Sequence, residues 1–325
     1  MSTCSLFPTR RAALGLIGAA LVSPRMVGAG GLDGMSGSAF GTTWHMAGPP
    51  RAKLEILRPK IDALFVQINA QMSPWRDDSA LSRFNAMRAG QQATDPEMIH
   101  VTGAALTLAE LSGGAFDPTV GPLVAQWGFG PITGGQTPDW RGVSVGDGFV
   151  GKDRDDLTLD LCGIAKGYAL DRAVELAQAE GAGNLLFDLG GELRALGEHP
   201  SGRAWRVAVQ HPRFDKAAPA AFRLSEGQAT ATSGLRTQSY NLEGRIYGHI
   251  IDPTEMSPAD AGLLSVTVLA DDAMTADGWA TALFAAGPET GPDLARRNDL
   301  SALFLVQDGA DSAQVLTGAM QGALL

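Results

Sequence analysis

Helix-spaced and strand-like segments are interleaved along this chain with no fixed repeat and no strict strand–helix–strand rhythm. That pattern disfavours a doubly wound sheet. It predicts an α+β fold of mixed sheets packed with helices. The apolar spacing of Leu54, Leu57, Ile61, Leu64, Phe65 and Ile68 predicts a first helix, with Pro59 inside it as a candidate kink. Asp95-Pro96-Glu97 marks the start of a second, which ends at Gly113-Gly114. A third is expected over 164–180, stopping at Gly181, and a fourth over 274–286, stopping at Gly287. Strands are expected at 157–161, 184–189, 205–210, 246–251, 263–270 and 302–306, and a long surface loop at 128–142. No segment reads as a linker, and the 45% apolar content is enough for one large core, so 30–325 is expected to form a single large domain. The 41 glycines point to tight turns and close backbone approaches.

Residues 1–29 read as an address rather than as structure. Arg10-Arg11 precede a short apolar run, and Val27-Gly28-Ala29 supplies small residues at cleavage-type positions. The run is shorter than the ~20 apolar residues of a membrane-spanning helix. The paired arginines resemble a twin-arginine signal, which implies export of a folded protein to the periplasm. No cysteine follows the run, so the chain is not expected to be a lipoprotein. Cleavage after Ala29 would remove Arg10, Arg11 and Arg25 and no acid. It would also remove Cys4 and leave Cys162 without a partner for an internal disulfide.

The net charge is −10, and no basic patch with interleaved aromatics is present, which argues against a nucleic-acid partner. An acidic chain that handles phosphates needs metal ions or backbone N–H groups to offset repulsion. Several segments could supply them. Asp160-Leu161-Cys162-Gly163-Ile164-Ala165-Lys166-Gly167-Tyr168 places small residues and a lysine where a helix begins, which suits a phosphate and also suits a plain structural turn. Asp277 and Thr281 are four apart on a helix and share a face, so their hard oxygens match the preferences of Mg²⁺; Asp-x-x-x-Thr is also a common surface pattern. His249, in Gly248-His249-Ile250-Ile251-Asp252-Pro253, can act as a general base or sit in a structural turn. Gly113–Leu123 reads alone as a loop around Phe116 and Asp117, and Asp188-Leu189-Gly190-Gly191-Glu192 as a bulged strand end.

Taken in order, these segments resemble the ApbE family of FAD:protein FMN transferases. The likeness runs from Gly41-Thr42-Thr43-Trp44 and Met72-Ser73-Pro74-Trp75 to Ser82-Arg83-Phe84-Asn85, then Ala115-Phe116-Asp117-Pro118-Thr119 and Trp127-Gly128-Phe129-Gly130. It continues through Ile164–Tyr168, Gly190-Gly191-Glu192, Ala231-Thr232-Ser233-Gly234, His249–Pro253, and Ala273-Met274 with Asp277 and Thr281. The resemblance implies an ApbE-like fold that uses FAD as substrate with Mg²⁺. FMN would pass to a Thr or Ser hydroxyl of an acceptor protein, with AMP leaving. It places the metal on the main-chain oxygen of Gly163 and the side chains of Asp277 and Thr281. Flavin-nucleotide positions fall on Phe40, Trp75, Ala115, Phe116, Asp117, Asp160, Lys166 and Ile251, and the candidate base on His249. With Lys166 and Asp277, His249 completes the expected catalytic set. Phe40 stands where a methionine is usual, Trp75 where a tyrosine is, and Gly163 where an alanine is; each substitution keeps the surface or the backbone donor that the role needs.

The same residues leave two rivals: an FAD pyrophosphatase that releases FMN and AMP, and a non-catalytic flavin-binding assembly factor. The expected acceptor is a flavoprotein subunit of a membrane respiratory or electron-transfer complex.

Overall fold

A computed structural model describes residues 31–325 apart from 53, 136, 213–215, 237 and 310. The expected export segment, 1–29, lies outside the described residues. The scaffold is an eight-stranded sheet in the order Asp33–Ala39, Thr42–Gly48, Leu185–Leu189, Glu192–Leu196, Ala229–Gly234, Leu263–Ala270, Ser301–Asp308 and Asp311–Thr317. Every neighbouring pair is antiparallel. The expected α+β class is therefore observed, with the long helices on one face and small satellite sheets around it.

Strand Leu263–Ala270 shows why the sheet is covered on both sides. Leu263, Val266 and Val268 join the core beneath the helices, whereas Leu264 and Leu269 join a second cluster with Trp205, Phe222 and Leu303. Alternation alone would not put 263 and 266 on one face. A register shift between Leu263 and Ser265 resets the phase, as a β-bulge does. The second cluster is roofed by the hairpin Trp205–Val209 and Ala220–Leu224.

On the helical face, Ala165–Ala179 and Ala273–Ala285 pack against one another and against the central strands, with Arg58–Met72 beside them. Close approach of the first two depends on Gly167. A Cβ there would run into the Ala273 carbonyl and lie 2.8 Å from the Asp277 Cβ, so no side chain fits.

Several boundaries differ from the sequence expectation. Pro59 does not kink the first helix; it occupies the first turn of Arg58–Met72, where its missing N–H costs nothing. Gly287 ends one helix with φ 79° but starts another at once, Gly287–Arg297, whose interior Pro292 hid it from a periodicity reading. The segment 246–251 divides into Arg245–Gly248 and Ile251–Asp252. The expected strand at 157–161 is not in any sheet. Leu157, Leu159 and Leu161 are buried, and the Asn85 side chain takes the place of a neighbouring strand. Its Oδ1 accepts from the Leu159 N–H at 2.7 Å, and its Nδ2 donates to the Leu159 carbonyl at 2.8 Å. Asn85 thus satisfies an extended backbone that leads straight into the turn at Gly163.

Candidate active site at the head of two packed helices

The heads of the two packed helices meet the turn 160–164. Asp277 is 4% exposed, and its Oδ2 accepts from the Gly167 N–H at 2.9 Å. One turn along the same helix, the Thr281 hydroxyl lies 3.4 Å from the Gly163 carbonyl oxygen and 3.4 Å from Ser233 Oγ. A Cβ at Gly163 would lie 3.1–3.2 Å from Thr281 and Phe116, so these side chains close over the turn. Thr281 thus lies against the Gly163 carbonyl, and Asp277, one turn back on the same helix, against the Gly167 N–H.

Lys166 forms an ion pair with Glu192 Oε1, while Glu192 Oε2 is buried with no hydrogen-bond partner among the described residues. Burial pushes the Glu192 carboxyl up, and nearby Asp277 adds to the effect while Lys166 opposes it. Burial also raises Asp277. For Lys166, burial acts downward but is outweighed by Glu192 and Asp277, which hold it protonated. The same strand carries a second pair one alternation on. Arg194 donates to Asp171 Oδ1 at 2.5 Å, and Asp171 accepts from the Ala273 and Met274 N–H groups, each at 2.8 Å. Burial pushes Asp171 to about 6 against the pull of Arg194. Glu192 and Arg194 point to one face of their strand. They thereby fix both Lys166 and the start of the Ala273–Ala285 helix.

The helix tip at Ala165 donates less outward than expected. The Ala165 N–H goes to the Leu161 carbonyl at 2.9 Å and that of Gly167 to Asp277. Lys166, likewise, is held by Glu192 rather than standing free.

His249 is half-buried, follows the strand Arg245–Gly248 and lies within reach of the Lys166 charge. Its Nδ1 sits 3.2 Å from the Gln238 carbonyl, which can only accept, so Nδ1 carries the proton and Nε2 the lone pair. Burial lowers its pKa, and the Lys166 charge lowers it further.

The other expected residues are distributed around this centre. Asp160 Oδ1 accepts from the Cys162 N–H at 2.9 Å and shapes the turn. Asp117 is buried and accepts from the Thr119 N–H at 2.8 Å and the Thr119 hydroxyl at 2.5 Å, so it braces the 115–119 segment beneath Phe116. Ala115 is half-buried against the core, and Ile251 is buried and paired with Pro258. Phe40, at φ 50°, packs on Phe65 with centroids 5.3 Å apart. It lines a groove of ≈ 380 Å³ with Arg58, Asp62 and Asn69, and none of the charged cluster borders that groove. Trp75 is 67% exposed. Sequence reasoning gave no role to Glu192, Arg194, Asp171 or Ser233. An acid after paired glycines in an apolar strand was the one signal available for Glu192.

Against this geometry, the comparisons are specific. A family model described as "ApbE family" matches residues 40–304. The chain belongs to the ApbE family. A FAD:protein FMN transferase of Klebsiella pneumoniae (strain 342) is 35% identical over 298 residues, 85% of this chain and 84% of the relative. Among solved structures, the flavin transferase ApbE from Vibrio cholerae aligns with a TM-score of 0.80 at 32% identity, covering 90% of this chain and 99% of its own. The apo flavinyl transferase ApbE of Pseudomonas stutzeri aligns with a TM-score of 0.79 at 30% identity, over 90% and 96%. The α+β scaffold described above is thus an ApbE fold over nearly its whole length.

Among the described residues of this ApbE chain, no three His, Cys, Asp or Glu side chains converge as a metal cluster. Any cation here would rest on one carboxylate, one hydroxyl and one carbonyl. That hard-oxygen set fits Mg²⁺, which keeps several waters and uses substrate phosphates to complete its octahedron.

Removing Lys166 should expose what Glu192 costs alone. Lys166→Met is expected to lose ~3–5 kcal/mol in denaturant unfolding, as for other broken buried pairs, and Lys166→Met with Glu192→Leu to recover most of it. Burial already raises the Glu192 carboxyl above its unfolded value, so the folded state prefers it protonated. The deficit of the single variant should therefore grow from pH ~5 to pH ~8.

Proposed function

We propose that this chain transfers the FMN half of FAD to a Thr or Ser hydroxyl of an acceptor protein, releasing AMP, with Mg²⁺ held by the Gly163 carbonyl, the Asp277 carboxylate and the Thr281 hydroxyl. The observation that supports the reading is the Thr281 hydroxyl on the Gly163 carbonyl, with Asp277 one turn away on the Gly167 N–H and within the field of Lys166, in a chain of the ApbE family.

When bound, Mg²⁺ would act as a Lewis acid and template on the diphosphate oxygens. The chain's own residues do the rest. The Gly167 N–H fixes Asp277 Oδ2, which leaves Oδ1 to serve as ligand. Lys166, held protonated by Glu192, sets a positive charge beside the site in a water-poor surrounding, where such a preorganised charge counts for more than in bulk water. His249 stays neutral because burial lowers its pKa, and its Nε2 takes the proton from the acceptor hydroxyl. The hydroxyl oxygen then bonds to the FMN phosphorus, the bond from that phosphorus to the bridging oxygen breaks, and AMP leaves with that oxygen. The proton on Nε2 passes to AMP or to water. A positioned base of this kind contributes ~10²–10⁴-fold. Flavin contacts would fall on Phe40, Trp75, Ala115, Phe116, Asp117, Asp160 and Ile251.

The setting follows from the sequence. The proposed place of action is the periplasm after twin-arginine export of the folded domain, and the proposed acceptor is a flavoprotein subunit of a membrane respiratory or electron-transfer complex. Among the described residues, no helix is long and apolar enough to cross a membrane.

Incubation with FAD, Mg²⁺ and a recombinant respiratory flavin-carrier domain, followed by mass measurement of that domain, tests the reaction. The native chain should add one FMN. Asp277→Ala should fold as native by circular dichroism yet lose ~10³-fold or more in rate. Free FMN and AMP with an unmodified domain would instead identify a hydrolase. Full transfer by Asp277→Ala would remove the metal assignment. For export, Arg10→Lys with Arg11→Lys should strand the chain in the cytoplasm on cell fractionation, and periplasmic recovery of that variant would exclude the twin-arginine route.

A further inference from the structure

The strands Ser239–Leu242 and Arg245–Gly248 form a two-stranded sheet that joins no other sheet. An isolated hairpin is marginal in water and needs side-chain packing to hold its place. Here the packing is a stack of rings. Tyr240 and Tyr247 are directly opposite in register and stack with centroids 5.5 Å apart. Tyr247 stacks in turn on Trp127 at 5.5 Å, and Tyr240 on Phe129 at 5.2 Å, each at an interplanar angle of 20°. Trp127 and Phe129 flank Gly128, whose φ of 86° turns the chain just after the helix Gly121–Gln126 and lets both rings face the hairpin.

The stack ends on His249. Phe129 meets the imidazole edge-on, with centroids 6.3 Å apart and an interplanar angle of 64°. His249 follows the second strand directly, and both its backbone N–H (3.1 Å) and its Nδ1 (3.2 Å) address the one carbonyl of Gln238. That carbonyl selects the nitrogen that carries the proton while the ring stays on it, but it holds the ring at one corner only. A second contact is needed to keep the imidazole from swinging off that hydrogen bond, and the Phe129 ring supplies it. Offset and edge-to-face ring pairs attract one another beyond the area they bury, which selects one ring orientation.

We infer that Phe129 is a positioning residue for the His249 imidazole, and that the stack through Tyr240 and Tyr247 to Trp127 holds Phe129 in register. The inference rests on the reading of His249 as the base that takes the acceptor proton. It assigns a role to the Trp127–Gly130 turn and explains why a solvent-exposed hairpin carries two tyrosines on one face.

Two readouts test it on the full chain. The first is the ¹⁵N–¹H correlation pattern of His249, which reports its tautomer without any substrate. The second is transfer to the flavin-carrier domain with FAD and Mg²⁺, resolved into kcat and KM. Native protein should show a single Nδ1–H tautomer. Phe129→Leu should show a mixture of tautomers and lose ~10–100-fold in kcat, with KM for FAD within ~2-fold. Phe129→Tyr should match native in both readouts. Tyr240→Leu, which leaves His249 and its ring neighbour intact, should move both readouts in the same direction by a smaller factor, and it serves if Phe129→Leu fails to fold. A native tautomer pattern and native kcat in Phe129→Leu, or in Tyr240→Leu should Phe129→Leu not fold, with transfer lost in His249→Ala, would overturn the positioning role and leave the base in place. Full transfer by His249→Ala would overturn the base and the positioning role together.

Discussion

The hydrogen bond from the Gly167 N–H to Asp277, made where two helices touch backbone to backbone, sets the geometry of everything around it. It is possible because position 167 has no Cβ to meet the Ala273 carbonyl. Once the helices are seated this closely, Thr281 reaches the Gly163 carbonyl, and Phe116 closes the far side of the turn. The buried carboxylate is not a stray charge in the core: one oxygen is anchored by the backbone, and its burial is repeated in Asp171, which ties down the start of the same helix. Strand Glu192–Leu196 supplies the counterparts to both helices, Glu192 to Lys166 and Arg194 to Asp171.

The charge balance of the cluster bears on the proposed cation. The single positive charge of Lys166 is shared between two buried carboxylates, its ion-pair partner Glu192 and nearby Asp277. A diphosphate entering beside Asp277 would meet a site that is net negative, inside a chain that carries −10 overall. The helix tip offers limited compensation, since the Ala165 and Gly167 N–H groups are already engaged. A divalent cation held by Asp277 would supply the positive charge that site and chain both lack. The neutral His249, its Nδ1–H held by the Gln238 carbonyl and its pKa lowered by burial and by Lys166, is then suited to accept a proton rather than to pair with phosphate.

The chemistry-bearing segments were legible because each is local: a turn with small residues at Gly163, an i, i+4 carboxylate–hydroxyl pair at Asp277 and Thr281, a histidine ahead of an Asp-Pro turn. Strand 263–270 was legible from its β-branched and apolar run. What stayed hidden depends on partners far apart in sequence. The extended segment at 157–161 looks like a strand, but its backbone is satisfied by Asn85, 74 residues away. Strand Glu192–Leu196 carries an acid and an arginine that read as surface charge until the facing helix provides Lys166 and Asp171. The ring stack joins Trp127 and Phe129 to tyrosines more than a hundred residues later, and Pro292 masked a helix that begins where another ends. Phe40 and Trp75 were named from resemblance, and here Phe40 lines a groove apart from the charged cluster while Trp75 stands in solvent.

The central claim is that a divalent cation sits on the Gly163 carbonyl, Asp277 and Thr281. Anomalous diffraction from crystals soaked with Mn²⁺ and FAD tests it most directly, since Mn²⁺ takes the same oxygen ligands. The account predicts a single strong peak within ~2.0–2.4 Å of all three oxygens, lost in Asp277→Ala. A peak elsewhere with FAD bound, or bound FAD with those oxygens turned away from the diphosphate, would contradict it.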